Sequence, residues 1–500
     1  MILIIFLLSV FTFYYPLEIL NFIYFLKLLI NLLLITVYYK ISGHLNKILV
    51  NSLYYDINRN GCFCIKFTQW IVTRYKMMND NNKIPDWLNL FNNFYEKCEF
   101  HNFEYTKNIL EIEFNHSIDE VFIEIDRIPI ASGSIAQVYK CKYRKNGKVC
   151  ALKIVHPNIE KHNYTLTFLK LLSHCLNSRF CNYFNIVIPP LDMDIFFDSL
   201  ENQINLENEA KNMVLLREQF KNDRSILVIP ECYYASKKII IMSFEEGESF
   251  SHLVASGYIK YKIMLSLSLF IRSMALIYGL VHCDLHCGNW KVRKIDNVNY
   301  QLVIYDFGLL VETNIIHIRK FLLAWETSRY DKLTDSLEYF IKYHPYNKDD
   351  FRILKNELEK DFTTWKIKPL NMNKILRHLC TWGYKNRVIY NGIFINQVLV
   401  ISLIEDEMKH FGLTCGTILE DMDETADCMI KVEYLNYISF CNGKKVFLKL
   451  SEYLDSILKD EHIEFTELFH KVEYKLSLNG LKNQPVPNKL NRKPIRTLDF

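Results

Sequence analysis

The chain has 500 residues, 50% of them apolar, and its 60 Lys+Arg against 56 Asp+Glu leave a formal net charge of +4. That length and apolar share can bury one large core and more than one structural unit, while near-balanced charge without a basic run excludes nucleic acid as a partner. Fourteen cysteines scattered without a framework exclude a disulfide scaffold and read as free thiols in a reducing compartment.

In chain order, the first signal is apolar. MILIIFLLSVFTFYYP is followed by LEILNFIYFLKLLINLLLITVYY, with Glu18 and Lys27 the only charges before Lys40. Pro16 breaks the first piece, which is short for a span. Residues 19–39 are long enough to cross a bilayer of ~30 Å, with Lys27 snorkelling or facing protein. A secretory signal peptide is disfavoured, because no basic residue precedes the apolar run and no small-residue cleavage site follows it. A hairpin lying in the interface is a third form of attachment. Membrane association is expected, with the number of crossings open. Lys40, His44 and Lys47 place the body on the cytoplasmic or matrix side. No arginine precedes Arg59, so the N-terminus does not resemble a transit peptide.

Residues 44 to about 125 read as helical and aromatic-rich. Alternating runs then predict strands at IPI (128–130), QVY (137–139) and VCALKIV (149–155), with Asn146-Gly147 as the turn of a hairpin. Residues 194–222 carry one long helical pattern. KIIIM at 238–242 reads as a buried strand, 261–278 as a helix, and QLVIY at 301–305 as a short strand ending at Asp306. Apolar-periodic helices are expected from about 315, and the proline-bearing segment 482–500 as a flexible end.

The stretch LVHCDLHCGNW at 280–290 has two readings. His282, Cys283, His286 and Cys287 look like a metal cluster. A helix would bring together only their i,i+4 pairs, however, and structural zinc sites draw on separated segments. The same letters contain H-x-D-x-x-x-x-N, and Asp306-Phe307-Gly308 follows after a strand. That spacing supplies a catalytic base at Asp284 and hard oxygen ligands for Mg²⁺ at Asn289 and Asp306. Upstream, Ala131-Ser132-Gly133-Ser134-Ile135-Ala136-Gln137-Val138 fits a phosphate-covering loop, with Gly133 and Val138 kept and Ala131 and Ala136 at the outer glycine positions. Lys153 ends an apolar strand and can reach phosphates. Glu201, Glu207, Glu209 and Glu218 are all candidates to hold it. Phosphotransfer accounts for every piece; zinc leaves Asp284, Asn289 and Asp306 unexplained.

With these pieces in order, the sequence resembles the UbiB-type, or aarF-domain-containing, atypical kinases over roughly residues 55–330. CIKFTQW at 64–70 with Thr73-Arg74 looks like that family's K-x-G-Q segment, and with ASGSIAQVYK is similar to one animal subgroup. Lys66, Gln69 and Thr73 form a polar stripe on one helix face; the resemblance implies that this helix folds over the nucleotide site and occludes protein substrates. QIN at 203–205 before Glu209-Ala210 resembles the element that singles out Glu209 as the partner of Lys153. MSFEEGES at 242–249 resembles the hinge beside the adenine, which implies contacts from Met242, Phe244 and Glu245. Thr68 stands in place of a glycine, Asn205 of an acid, Cys287 of a proline and Trp290 of a smaller aliphatic residue.

The expectation is an α+β, two-lobed protein-kinase-like fold. A membrane segment (1–43) and a helical extension (44–126) precede an N-lobe (127–248), a C-lobe with added helices (249–481) and a tail. The resemblance implies ATP and Mg²⁺ as cofactors and a membrane lipid or quinone precursor as substrate. It also implies coenzyme Q biosynthetic proteins as partners and the mitochondrial inner membrane as location. The competing readings are a choline- or aminoglycoside-like phosphotransferase and a nucleotide-binding pseudokinase scaffold. Nothing in the sequence specifies an oligomeric state.

Overall fold

The computed structural model describes residues 16–78, 86–96, 100–157, 193–221, 223–255, 274–296, 299–314, 330–365 and 372–396, with scattered positions in 159–170 and 259–271, at 317–318, and at 398 and 400. The tail at 482–500 and any helices beyond 400 lie outside the described residues. Two compact units result. The first is drawn from Met1–Ile188, Met193–Asn208 and Cys232–Phe244, the second from Pro189–Asp192, Glu209–Glu231 and Glu245–Phe500.

The first unit opens on a helical hairpin. Helix α1 (Pro16–Ser42) has 27 residues, about 40 Å at its regular rise. Gly43 turns the chain at φ +72°, and Asn46 caps α2 (Lys47–Arg59) by accepting the Ile48 N–H at 2.8 Å. Phe25, Leu28 and Asn31 recur every third residue and are buried. Lys27 faces protein: its Nζ lies 2.7 Å from Oδ1 of Asp56, whose side chain is 1% exposed, and Asn31 donates to the other oxygen at 3.0 Å. Asn60 donates to the Tyr24 carbonyl at 3.1 Å and the Arg59 guanidinium lies over the Tyr24 ring, closing the far end. The outer face of α1 keeps Phe22, Ile23, Leu26, Ile30, Leu33 and Val37 exposed. Phe22–Ser42 is long and apolar enough to span a bilayer.

Lys27→Met leaves the buried Asp56 carboxylate with Asn31 as its side-chain partner. It should cost the hairpin about 1–3 kcal/mol, read as a lower melting temperature and faster amide exchange in α2. Unchanged exchange there would remove the ion pair from the account of how the hairpin holds.

Helix α3 (Cys62–Met78) follows. Phe63, Cys64 and Phe67 are buried on it, and burial, with Cys62 adding to it, pushes the Cys64 thiol well above its ordinary value. Such a thiol is inert. Tyr54 of α2 stacks on Phe94 at 4.6 Å, in the short helical turns that follow. Helix α4 (Phe103–Phe114) then leads to the main sheet.

That sheet comprises β1 (Phe122–Ile125), β2 (Ala131–Ser132), β3 (Ala136–Tyr143), β4 (Val149–Val155), β6 (Cys232–Ala235) and β7 (Ile239–Ser243), in the order β1-β3-β4-β7-β6 with β2 on β3; β5 (Leu227–Val228) belongs to the second unit. It begins inside the stretch read as helical, because Phe122 is drawn into the core where β1 pairs with β3. The predicted β3–β4 hairpin forms around residues 144–148, with Gly147 at φ +65° and the Asn146 side chain accepting the Lys148 N–H at 2.9 Å. Period-two alternation sends Tyr139, Cys141, Tyr143, Cys150, Leu152, Ile154, Ile239 and Ile241 to one face, where Leu110 and Phe114 of α4 complete a core.

The single helical pattern at 194–222 is two helices, α5 (Met193–Gln203) and α6 (Leu206–Gln219). Asn205 interrupts it. Its Oδ1 accepts the Glu207 N–H at 3.1 Å and so caps α6.

In the second unit the described positions of 259–271 are helical and close with a π-type turn at Met274–Tyr278. Ile263, Met264, Leu267, Phe270 and Met274 are buried along it. Next come β8 (Leu280–His282), β9 (Trp290–Lys294), β10 (Tyr300–Ile304) and β11 (Leu310–Glu312), paired as β5-β10-β9 and β11-β8. Helices α7 (Tyr330–Glu338), α8 (Lys348–Trp365) and α9 (Met372–Lys385) follow, with a clip of β12 (Ile341–Tyr343) and β13 (Ile389–Tyr390). Helix and strand are mixed throughout, as expected for an α+β chain.

Candidate active site

In the first unit, the face of the sheet opposite the core carries the predicted lysine. Val138 and Lys153 are directly opposed across β3 and β4, Ala131 opposes Val138 from β2, and Ile240 opposes Lys153 from β7. Residues opposed in this way share a face. Ala151 and Met242 form the next row. The result is one lysine set among Ala131, Val138, Ala151, Ile240 and Met242, four segments apart in sequence. Between β2 and β3, the Gly133 N–H closes the loop by donating to the Ala136 carbonyl at 3.0 Å. Ser134, 8% exposed, buries a hydroxyl that has no hydrogen-bond partner among the described residues. Phe244, at the end of β7, lies under the Lys140 ammonium at 4.8 Å.

The second unit holds the acidic half. His282 is 1% exposed, and its Nδ1 accepts the Asp284 N–H at 3.3 Å while Nε2 donates to the Asp306 carbonyl at 2.6 Å. It braces both loops. Asn289 Nδ2 donates to the Asp284 carbonyl at 2.7 Å, which turns the amide oxygen of Asn289 away from that bond. The Asn289 carbonyl in turn accepts the Tyr305 N–H at 3.0 Å. Leu310 pairs with His282 and Ile304 with Trp290, so both ends of the Asp284 loop are tied to strands flanking Asp306. The Asp306 carboxylate accepts the Gly308 N–H at 2.8 Å, fixing its own rotamer. Phe307 is fully buried, and its carbonyl accepts Asn212 Nδ2 at 2.8 Å. Asn212 stands one turn along α6 from Glu209, which is 3% exposed, so the helix bearing Glu209 is docked on the Asp306 turn. Asp284, Asn289, Asp306 and Glu209 therefore belong to one fastened set of loops.

The four sulfur and imidazole groups of 282–287 go different ways. His282 points inward, His286 Nδ1 accepts the Gly288 N–H at 3.1 Å, Cys283 shares a weak contact with the Val281 carbonyl, and Cys287 is exposed. Among the described residues no group of three or more His, Cys, Asp or Glu side chains is set to hold a metal.

The hinge-like segment is latched. Arg293 binds the Glu245 carboxylate at 2.6 Å, Tyr305 donates its hydroxyl to the Glu245 carbonyl at 2.8 Å, and Glu248 exchanges backbone hydrogen bonds with Val292. Burial pushes the Tyr305 hydroxyl above its ordinary value; Arg293 opposes this, and Glu245 and Glu246 add to it. Tyr305 thus stays a donor. The carboxylate of Glu245 is engaged in the latch. A side chain at Gly247 would come 2.9 Å from Lys291 Cβ and 3.1 Å from the Tyr305 hydroxyl, so this close approach needs glycine.

On α3, Lys66 is half-buried in the first unit. Gln69, a member of the polar stripe, is 8% exposed and donates to the Phe94 carbonyl at 2.6 Å. Thr68 returns its hydroxyl to the Cys64 carbonyl at 2.8 Å, so the helix absorbs the β-branched residue. The side chain of Thr73 lies outside the described residues.

Asn212, Tyr305 and Arg293 were not legible as site residues. Only Asn212 carried a signal, its i+3 spacing from Glu209 on one helix face.

Known proteins place the chain in context. Residues 93–333 match the family model described as the ABC1 atypical kinase-like domain. A probable serine/threonine-protein kinase, abkC, of Dictyostelium discoideum is 31% identical over 253 residues, covering 49% of this chain and 35% of that protein. A probable protein kinase UbiB of Shewanella denitrificans is 27% identical over 279 residues, 54% of this chain and 49% of that protein. A mitochondrial ABC1 family protein of Schizosaccharomyces pombe is 23% identical over 442 residues, 70% of this chain and 61% of that protein. The chain spans less than two thirds of the length of each. Among solved structures, the Rv3197–erythromycin complex from Mycobacterium tuberculosis is similar at 16% identity and a TM-score of 0.39, over 61% of this chain and 83% of that one.

Proposed function

We infer that this chain is an atypical kinase of the ABC1/UbiB type that binds magnesium-ATP at a membrane, and either hydrolyses it or passes a phosphoryl group to a small membrane-borne acceptor. The fastening of the Asp284–Asn289 loop to the Asp306 turn supports this most, because it ties together the segments that bear the proposed base, amide and carboxylate. The residues present fit the cofactor: hard oxygen donors suit Mg²⁺, and the unpartnered Ser134 hydroxyl in the covering loop suits a phosphate oxygen. When bound, the nucleotide supplies the phosphoryl group, and the metal offsets its charge.

Asn289 and Asp306 would hold the metal. Asp284 would orient or accept the proton of the attacking hydroxyl or water. Lys153, steadied by Glu209, would neutralise phosphate charge, and residues 131–138 would cover it. Met242 and Phe244 would line the base, with Glu245 setting the hinge. The Lys66 helix would exclude protein substrates. The resemblance to the UbiB-type kinases implies a role in coenzyme Q biosynthesis or lipid handling, with a quinone precursor or lipid as substrate and biosynthetic proteins as partners. The mitochondrial relative supports a mitochondrial location, and the family resemblance implies the inner membrane.

The test is ATP hydrolysis by the full-length protein in lipid nanodiscs with and without Mg²⁺. Lys66→Ala should change nucleotide affinity or turnover. No change would favour a choline- or aminoglycoside-like phosphotransferase, which has no use for that helix; tight ATP binding with no turnover would favour a scaffold.

A further inference from the structure

Behind the loop 131–138 lies a chain of buried and half-buried polar groups that the proposed reaction does not use directly. His156 grips the loop twice. Its backbone N–H donates to the Ile135 carbonyl at 2.9 Å, and its ring Nε2 lies 2.9 Å from the Gly133 carbonyl, with Ser132 Oγ at 3.4 Å. A carbonyl only accepts, so Nε2 carries the proton. Burial holds His156 below its ordinary pKa despite the Gly133 bond, so the ring is neutral and its Nδ1 accepts. The partner there is His101 Nδ1, 2.8 Å away, which must donate. Burial and then His156 bring His101 down to about 4, so it too is neutral, and its Nε2 accepts from the Thr106 hydroxyl at 2.9 Å.

The direction then propagates. Thr106 accepts from the Tyr139 hydroxyl at 2.9 Å, and Tyr139 accepts from Gln137 Nε2. Gln137, fully buried, also pins the His101 backbone at both ends: Oε1 accepts the His101 N–H at 3.0 Å and Nε2 donates to its carbonyl at 3.2 Å. Every proton in this relay has one place to be.

We infer that His156, with His101 behind it, is a positioning residue for the phosphate-covering loop: by holding the Gly133 and Ile135 carbonyls on one side it turns the Ser134 and Ala136 N–H groups to the other. The reason is the planar trans peptide, in which a carbonyl and the following N–H point in opposite directions. The inference rests on the nucleotide reading of that loop. A relay with single-valued protons holds one orientation of two peptide planes, which a phosphate needs before it arrives.

The experiment uses the full-length protein in nanodiscs, with Kd for Mg-ATP by calorimetry and kcat and KM from hydrolysis. His156→Leu removes the ring donor and should raise Kd and KM by ~3–10-fold, the size of one backbone hydrogen bond, with kcat changed less than about 2-fold. His156→Gln, whose amide can reach the Gly133 carbonyl, should restore most of the loss. His101→Ala should weaken binding less, and His101→Asn, which keeps a donor where Nδ1 stands, should rescue it. In selectively ¹⁵N-histidine-labelled protein, His156 should be the Nε2–H tautomer and His101 the rarer Nδ1–H tautomer, a readout that survives if His156→Leu fails to fold. Wild-type binding with all variants equal to it, or the opposite tautomers, would overturn the positioning role alone. A wild type that binds no Mg-ATP would overturn the nucleotide reading and the inference with it.

Discussion

Asp306→Asn should abolish magnesium-dependent ATP hydrolysis, lowering phosphate release by ~100-fold or more. The substitution is nearly isosteric, and an asparagine oxygen can still accept the Gly308 N–H that fixes the turn. His282 binds the backbone carbonyl of residue 306, which the change does not touch. Folding should therefore survive, and what is removed is one negative charge at the proposed metal. Hydrolysis that continues at the wild-type rate in well-folded Asp306→Asn would reject the assignment of the site.

Lys153→Met should be the next most damaging change, cutting kcat/KM for Mg-ATP by ~10–100-fold. The lysine is fixed between Val138 and Ile240 in the middle of a sheet whose other face is solid core. Methionine keeps the apolar stem and so preserves the row, while the ammonium is lost. Calorimetry on the folded variant reads the effect; affinity and turnover both equal to wild type would take Lys153 out of the site.

Much of this was legible because the chemistry and the fold agree locally. KIIIM is a strand because four successive buried apolar residues suit a strand walled on both faces. Asn146-Gly147 turns because glycine accepts positive φ. The motif at 282–289 and the one at 306–308 announce two loops, and the pairing of Leu310 with His282 ties them. What stayed hidden depends on contacts between distant segments. The break at Asn205 went unread because the apolar period runs on past it, although asparagine is a favoured N-cap, and its bond to the Glu207 N–H makes the cap. Gln69 read only as part of a polar stripe because its partner, the Phe94 carbonyl, lies 25 residues away. His101 and His156, 55 residues apart, carried no sequence signal. Asn212 could have been found from its spacing; Tyr305 and Arg293, which act through the backbone and side chain of Glu245, could not.

The ion pair between Lys27 and Asp56 constrains what the apolar N-terminal helix can do as a span. The seam of α1 is zipped to a polar companion that includes Asn51, Asp56 and Arg59, while its other side is a greasy ridge. In hydrocarbon such a companion would be stripped of water, at several kcal/mol for each polar group left unsatisfied. Were α1 to cross a bilayer as a separate span, the Lys27–Asp56 pair, the Asn31 and Asn60 hydrogen bonds and the Arg59–Tyr24 contact would all have to part first.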